Sequence, residues 1–190
     1  MVSFCSFSSI TLLVVLLITP SFANQNGYQE NISQGDIKAI CSSTIVPDYC
    51  FQVFKSDPKL VSADLKGVAN ILLDKEQGNL QQTANVIKEL VKQASPKPPP
   101  GGGPSLKERY SECSETYGDG LESVKQAKGY ISSGDYFSAQ TQVSGLLDDI
   151  GTCDDDLNKP ISDASQLPKL NQDNISLSRV ILAVIAKLRG

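Results

Sequence analysis

Acidic side chains are the groups in this chain whose type and spacing could support acid–base chemistry. Two runs stand out, Asp148-Asp149 and Asp154-Asp155-Asp156. Glycosidases use pairs of carboxyl groups, one of which needs an apolar pocket that raises its pKa. Here both runs have polar neighbours, tryptophan is absent, and aromatic residues make up only 6% of the sequence, which leaves little to form a sugar platform. The carboxylates therefore do not predict a glycosidase site.

Histidine and cysteine usage narrows the chemistry further. The chain contains no histidine, which removes Ser-His-Asp and Cys-His catalysis and imidazole ligation of metals. Of the five cysteines, Cys5 lies in an N-terminal segment that has the features of a secretory signal, and four follow that segment: Cys41, Cys50, Cys113 and Cys153. An even number of cysteines in an oxidising compartment indicates two disulfides rather than a catalytic thiolate or a Cys-type zinc site. We expect neither an enzyme nor a protein that holds a metal or a cofactor.

The first 23 residues differ from the rest in composition. They contain no charged side chain, and their apolar run from Ile10 to Ile18 is interrupted only by Thr11. Pro20 follows, and Ser21-Phe22-Ala23 then has the small-x-small pattern that signal peptidase cleaves. The apolar run is shorter than the roughly 20 residues that a membrane-spanning helix needs. We expect cleavage after Ala23, secretion, and a mature chain of 167 residues (190 minus 23) without a membrane partner.

The mature chain would be acidic. All 17 basic and 21 acidic residues lie beyond Ala23, so the net charge stays at −4. Binding to nucleic acid requires clusters of lysine and arginine that neutralise phosphates, and no basic stripe is visible, so no nucleic-acid partner is expected. Two Asn-x-Ser sequons, at Asn31 and Asn174, are candidate glycosylation sites in a secreted chain.

The spacing of apolar residues predicts that helices carry these groups. Recurrence at three, four and seven residues predicts amphipathic helices over Val61–Ala94, Leu106–Ile131, Ala139–Leu157 and about Asp173–Leu188. The proline- and glycine-rich residues 96–104 separate the first two, Ser132-Ser133-Gly134-Asp135 separates the next two, and Lys159-Pro160 stops the third. Two shorter helices between Ile37 and Phe54 form a hairpin. The sequence thus predicts an all-α, antiparallel four-helix bundle with an N-terminal helical hairpin.

The disulfide pairing is only partly constrained by the sequence. Four cysteines allow three pairings, and their spacing does not choose among them. Cys113 and Cys153 fall on the core stripes of two helices that are predicted to be adjacent and antiparallel, so a bond between them is favoured. That bond leaves Cys41 to pair with Cys50 across the turn of the hairpin.

The order of these features resembles the plant invertase and pectin methylesterase inhibitor family over about residues 34–188. The hallmark is four cysteines with a short first gap, and further matching pieces are Ser56-Asp57-Pro58, Asp64-Leu65-Lys66-Gly67, Tyr110-Ser-Glu-Cys113-Ser-Glu-Thr-Tyr117 and Gly151-Thr152-Cys153. The resemblance implies a single inhibitor domain over residues 24–190. It also implies disulfides from the first cysteine to the second and from the third to the fourth. A location in the plant apoplast or cell wall would follow.

The family inhibits two unrelated enzymes, so the branch has to be read from local residues. Invertase inhibitors typically carry Pro-Lys-Phe where this chain reads Gly134-Asp135-Tyr136-Phe137. Gly134-Asp135-Tyr136, Val143-Ser144 and Gly151-Thr152-Cys153 resemble the pectin methylesterase branch. The resemblance therefore implies an inhibitor of plant pectin methylesterase that is a monomer when free and covers the enzyme's substrate cleft in a 1:1 complex. The alternatives are an inhibitor of acid invertase and a non-inhibitory secreted protein of the same fold.

Two rows of polar residues are the candidate contact surface. Each row has the spacing i, i+4, i+7, which places its members on one face of a helix. The rows are Glu115, Asp119 and Glu122 on one helix and Asp148, Thr152 and Asp155 on the next. If the two helices are neighbours, the rows form one acidic strip; for any single residue the alternative is ordinary solvated surface. The resemblance adds Asp135 to the candidate contact residues. Acidic groups on this surface would imitate a polyanionic substrate.

Overall fold

The computed structural model describes residues 30–157 and 163–190. The predicted signal over residues 1–23 and the predicted helix stop at Lys159-Pro160 lie outside these residues. The helices are α1 (Gln34–Ser43), α2 (Pro47–Ser56), α3 (Pro58–Val61), α4 (Leu65–Gln93), α5 (Leu106–Ser133), α6 (Tyr136–Leu157) and α7 (Leu167–Arg189). No residue in the two described ranges lies in a β-strand, which confirms the all-α prediction.

Helices α1 and α2 form the predicted N-terminal hairpin. Ser33 caps α1 through a reciprocal capping box, and Pro47 occupies the first turn of α2, where a missing N–H costs no helical hydrogen bond. Cys41 and Cys50 are fully buried and bonded to each other, with their Cα atoms 5.4 Å apart. The hairpin packs against α7, so its buried face belongs to the same core as the bundle.

Helices α4 to α7 form a closed ring in which each helix contacts the helix before and after it, and α7 returns to α4. The start of one helix meets the end of the next. The Lys66 amino group on α4 donates to the carbonyl oxygen of Ser132 at the end of α5 (2.9 Å). Arg189 at the end of α7 donates to Gln140 near the start of α6 (2.5 Å). The antiparallel four-helix bundle is therefore confirmed.

The first predicted long helix is wrong at its start. The single-turn α3 ends at Val61, and α4 begins separately at Leu65 because the Asp64 carboxylate accepts a hydrogen bond from the Gly67 amide (2.9 Å). Val61 is 39% exposed and does not belong to the core stripe to which the apolar spacing assigned it. Val61 lies four residues before Leu65, which matches helical spacing, so the apolar pattern wrongly extends the predicted helix to Val61.

The last helix also begins earlier than predicted. Helix α7 starts at Leu167, with Pro168 in its first turn, instead of at about Asp173. Leu167 is buried, but the next two buried positions of this helix are the polar residues Asn171 and Asn174, so the apolar spacing is interrupted there. The Asn171 side chain is hydrogen-bonded to Tyr117 and Cys153 on neighbouring helices.

Helices α5 and α6 approach each other closely at Gly120. A Cβ atom at this position would lie 2.7 Å from Cδ1 of Leu146, which is fully buried. The Cys113–Cys153 disulfide joins the same two helices further along, with its Cα atoms 4.7 Å apart. Both disulfides have the pairing that the sequence favours. The two helices that carry the candidate contact rows are thus held together covalently and by close packing.

We expect Gly120→Ala to lower the free energy of unfolding by about 1–2 kcal/mol, because the added methyl group overpacks the buried Leu146 side chain. The matched control is Gly118→Ala on the same helix, where a Cβ atom meets nothing within 4 Å. Alanine at Gly118 should raise the free energy of unfolding by about 0.5–1 kcal/mol through helix propensity. Urea unfolding of both variants checks this, and equal effects at the two glycines would contradict the close approach.

Candidate functional site

The six predicted row residues all lie on exposed surface of neighbouring helices. Thr152 sits beside the buried Cys153, and its hydroxyl donates to the backbone oxygen of Asp148 (2.9 Å). The remaining members of the rows are Glu115, Asp119, Glu122 and Asp155. Helices α5 and α6 are neighbours, so the spatial requirement of the predicted strip is met.

The carboxylates that approach each other across the two helices flank the core stripe. We define the acidic seam as Glu112 and Asp119 on α5 together with Asp149 and Asp156 on α6. Glu112 interacts with Asp156, and Asp119 interacts with Asp149, each time close enough for one carboxylate to shift the pKa of the other. Within residues 30–157 and 163–190, none of the four forms an ion pair with lysine or arginine.

The pKa shifts have the sign expected of like charges held together. Partial burial, followed by the negative charges of Asp119 and Asp148, raises the pKa of Asp149. Loss of hydration, followed by the charge and shared hydrogen bond of Asp156, raises the pKa of Glu112. A cationic group placed on this surface would oppose both shifts, since an opposite charge favours the ionised carboxylate. The seam is chemically suited to a positively charged partner.

Two row residues on α5 lie away from the seam. Glu115 lines a groove between α4 and α5 together with Lys88 and Lys92, so it lies towards α4 rather than α6. Glu122 pairs with Lys125 one turn further along its own helix (3.2 Å). The predicted strip is thus narrower on α5 than the regular spacing indicates, because one edge of α5 faces α4 and not α6.

Asp135 lies at the far end of α6. Its carboxylate accepts a hydrogen bond from the Ser138 amide (3.0 Å), so it caps the first turn of the helix, and this hydrogen bonding lowers its pKa. Seventeen residues separate it from Thr152, which corresponds to roughly 25 Å along a helix. Asp135 therefore cannot share one compact contact patch with the acidic seam.

The two candidate glycosylation sites differ in accessibility. Asn31 is exposed. Asn174 is 2% exposed, and its side-chain nitrogen donates to Thr83 (3.2 Å) and to the Tyr117 hydroxyl (3.1 Å). A glycan on that nitrogen is incompatible with this packing, so the prediction for Asn174 is wrong for the folded chain. Asn31 stays a prediction.

Sequence reasoning missed Glu112, Asp149 and Asp156 as members of the surface. The signal that identifies them is their position relative to the core. Asp149 and Asp156 are seven residues apart, and each directly precedes a buried residue of α6; Glu112 and Asp119 repeat this on α5. Positions that flank the core stripe in this way face the neighbouring helix and normally carry charges of opposite sign in the two helices. Here both helices carry acids.

The family model described as plant invertase/pectin methylesterase inhibitor matches residues 35–184. The chain belongs to this family. Members are enzyme inhibitors rather than enzymes, which agrees with the absence of a recognisable catalytic constellation in the sequence. The match covers both disulfides and all the bundle helices except the last residues of α7.

Individual relatives carry both kinds of inhibitor name. A pectinesterase inhibitor from Actinidia deliciosa is 35% identical over 190 residues, covering 99% of this chain and 97% of its own. A Platanus orientalis protein provisionally named an invertase inhibitor is 33% identical over 168 residues, covering 84% of this chain and 91% of its own. A crystal structure of a mutant pectin methylesterase inhibitor from Arabidopsis superimposes with a TM-score of 0.69 at 24% identity, covering 80% of this chain and 95% of its own. That likeness supports the fold.

Two further observations concern the described part of the chain. Its acidic and cysteine side chains include no group of three or more arranged to hold a metal ion. Its helices include none that is both long and apolar enough to cross a membrane.

Proposed function

We propose that this protein inhibits a plant pectin methylesterase, and that it does so by laying the α5–α6 surface over the enzyme's substrate cleft in a 1:1 complex. The acidic seam and its exposed neighbours Asp148, Thr152 and Asp155 form the contact. Pectin is a polyanion wherever its galacturonate units are de-esterified, so a cleft that binds the partly de-esterified polymer is expected to present cationic groups. An acidic helical surface can occupy such a cleft by imitating the substrate's charge.

The observation that carries the proposal is the unpaired acidic seam. Like charges at positions that flank a helix–helix interface destabilise the bundle, and ordinary surface design would place lysine or arginine on one of the two helices. Proteins accept such a loss of stability where binding needs it. A partner that supplies the missing cations would recover this energy in the complex, which favours a binding surface over a merely solvated one.

The seam also favours one target over the other. Sucrose, the substrate of invertase, is neutral, so an acidic surface gains nothing by imitating it. The local sequence also supports pectin methylesterase as the target. Invertase inhibitors typically carry Pro-Lys-Phe where this chain reads Gly134-Asp135-Tyr136-Phe137, so the Pro-Lys pair is missing here. Invertase inhibition remains the second candidate, since a relative with that name matches at nearly the same identity.

Secretion is part of the proposal. Residues 1–23 have the composition of a secretory signal, and two disulfides are typical of proteins that fold in an oxidising compartment. A secreted inhibitor would meet its enzyme in the plant cell wall. Mass spectrometry of protein recovered from the extracellular fluid should find a mature N-terminus just after Ala23 and intact disulfides.

The test is a parallel inhibition assay with the purified mature protein against a plant pectin methylesterase and a plant acid invertase. We expect inhibition of the methylesterase that reaches completion at one inhibitor per enzyme, with invertase activity unchanged. Inhibition of invertase alone would overturn the choice of target. Inhibition of neither enzyme by a folded sample would favour the non-inhibitory alternative.

A further inference from the structure

The interior of the bundle contains a line of polar side chains contributed mainly by α7. Asn171, Asn174 and Ser178 follow the spacing i, i+3, i+7 and are at most 2% exposed. The amide nitrogen of Asn171 donates to the Sγ atom of Cys153 (3.4 Å), and its oxygen accepts from the Tyr117 hydroxyl (2.7 Å). Asn174 continues the line as described above. Each of these groups has hydrogen-bond partners, as buried polar groups require.

The end of this line is different. Glu76 on α4 is fully buried, and its Oε1 atom accepts a hydrogen bond from the Ser178 hydroxyl (3.0 Å). Its Oε2 atom has no hydrogen-bond partner among the described residues. No lysine or arginine in that part of the chain pairs with it. An ionised carboxylate in such surroundings loses its hydration without compensation, which is far less favourable in a protein interior than burying a neutral carboxyl group.

The groups that face Glu76 from the packed helices do not supply a counter-charge. Helix α5 contributes the phenol of Tyr117, α2 contributes the phenol of Tyr49, and α7 contributes Ser178. Burial first, and then the charge of Glu76, raises the pKa of both phenols, so neither titrates near neutrality. The amino group of Lys128 lies near this part of α4 but is held by Asp74 and by Gln77 (3.1 Å).

We propose that Glu76 is a proton-controlled lock between α4 and α7. With the carboxyl group protonated, the two helices pack tightly around it. When the group ionises, the charge must be hydrated, and water reaches it only if the α4–α7 contact opens. The protein would therefore be most stable in acidic surroundings and would loosen locally on passing to neutral or alkaline ones. This inference is independent of the enzyme target.

The direction of the pH effect follows from proton binding. Burial raises the pKa of Glu76 from its usual 4.5 to about 8, against a smaller opposing effect of the Ser178 hydrogen bond. The folded state therefore binds this proton more tightly than the unfolded state. Its contribution to stability is fully present below about pH 4.5 and is lost as the pH rises to about 8. Each pH unit within that window changes the folding equilibrium by up to about tenfold.

Urea unfolding of the disulfide-intact protein between pH 5 and 8 tests the proposal. The folding equilibrium constant of the wild type, divided by that of Glu76→Gln, should fall on the order of a few hundredfold over this range. The matched control is Glu89→Gln, since Glu89 is exposed on the same helix and pairs with Lys92; its pH profile should follow the wild type. A ratio for Glu76→Gln that changes less than threefold would overturn the proposal.

Two measurements on the wild type keep the test independent of how the variant folds. Carbon NMR of glutamate side chains should show one carboxyl carbon titrating near pH 8, and titration of every glutamate below pH 5 would overturn the assignment. Hydrogen exchange at pH 5 and 7.5 should show protection lost mainly around Glu76 and Ser178, relative to the amides beside Cys113 and Cys153. Equal loss everywhere would overturn the local opening.

Discussion

Replacing Asp119 and Asp148 with lysine is expected to weaken inhibition of pectin methylesterase on the order of 100-fold or more. Both side chains are exposed and lie next to Asp149, whose pKa is raised first by partial burial and then by their charges. Lysine at these positions would meet the cations expected in the enzyme's cleft, and like charges placed opposite each other cost several kcal/mol, where each 1.4 kcal/mol is a factor of ten. The measurement is the inhibition constant at fixed salt.

The same substitutions should leave the fold intact. They relieve repulsion between carboxylates, so the urea midpoint should stay the same or rise. The matched control is Glu89→Lys with Asp173→Lys, which makes the same change in net charge on α4 and α7, where each carboxylate forms an exposed ion pair. We expect this control to inhibit nearly as well as the wild type. Equal loss in both variants would mean that net charge matters and the acidic seam does not.

Removing the Cys113–Cys153 disulfide should have the largest effect on stability. The bond closes a loop with a sequence separation of 40, and chain-entropy estimates give about 4 kcal/mol for a loop of that length. Cys113→Ser with Cys153→Ser should therefore lower the thermal midpoint by roughly 10 °C or more for a domain of this size. Calorimetry of the variant beside the oxidised wild type checks the value, and an unchanged midpoint would contradict it.

The hairpin disulfide provides the comparison. Cys41 and Cys50 close a loop with a separation of only 9, for which the same estimate gives about 3 kcal/mol. Inhibition distinguishes the two bonds more sharply than stability does. Loss of Cys113–Cys153 frees α5 from α6 and should weaken inhibition, whereas loss of Cys41–Cys50 should leave the acidic seam in place. If losing the hairpin bond weakens inhibition more, the contact surface has been assigned to the wrong part of the molecule.

Much of the fold follows from the spacing of apolar residues. The core stripe of α6 consists of five fully buried residues, Ala139, Val143, Leu146, Ile150 and Cys153. Such a stripe predicts both the helix and the face that it turns towards the core. Helix ends are governed by local hydrogen bonds that spacing does not report. The apolar spacing therefore predicts that the first long helix begins before the cap at Asp64, although α4 begins after it.

The spacing of apolar residues does not predict the buried polar residues of the bundle. Asn174 reads as a sequon, and Asn171 lies in a polar stretch, yet both are core residues because partners from other helices satisfy their amides. Glu76 is hidden in the same way. A sequence gives the polarity of a side chain, whereas burial of a polar side chain depends on hydrogen-bond partners that are distant along the chain, such as Tyr117 and Ser178.

The candidate surface was predicted in part for a similar reason. Helical spacing correctly places Asp119 and Asp148 on exposed faces, but it does not tell which edge of α5 meets α6 and which meets α4. Glu115 lies on the edge of α5 that faces α4. Asp149, which faces Asp119, is not among the residues that the spacing predicts for the contact surface. Once the core stripes are known, positions directly before a core residue would identify the seam from sequence alone.

Hydrogen exchange of the inhibitor, free and bound to pectin methylesterase, tests the central claim most directly. The proposed contact predicts that backbone amides in residues 112–122 and 148–156 exchange more slowly in the complex, while those of the α1–α2 hairpin are unchanged. Slowing confined to the hairpin, or to α4 and α7, would contradict the assignment of the acidic α5–α6 surface as the part of the protein that binds the enzyme.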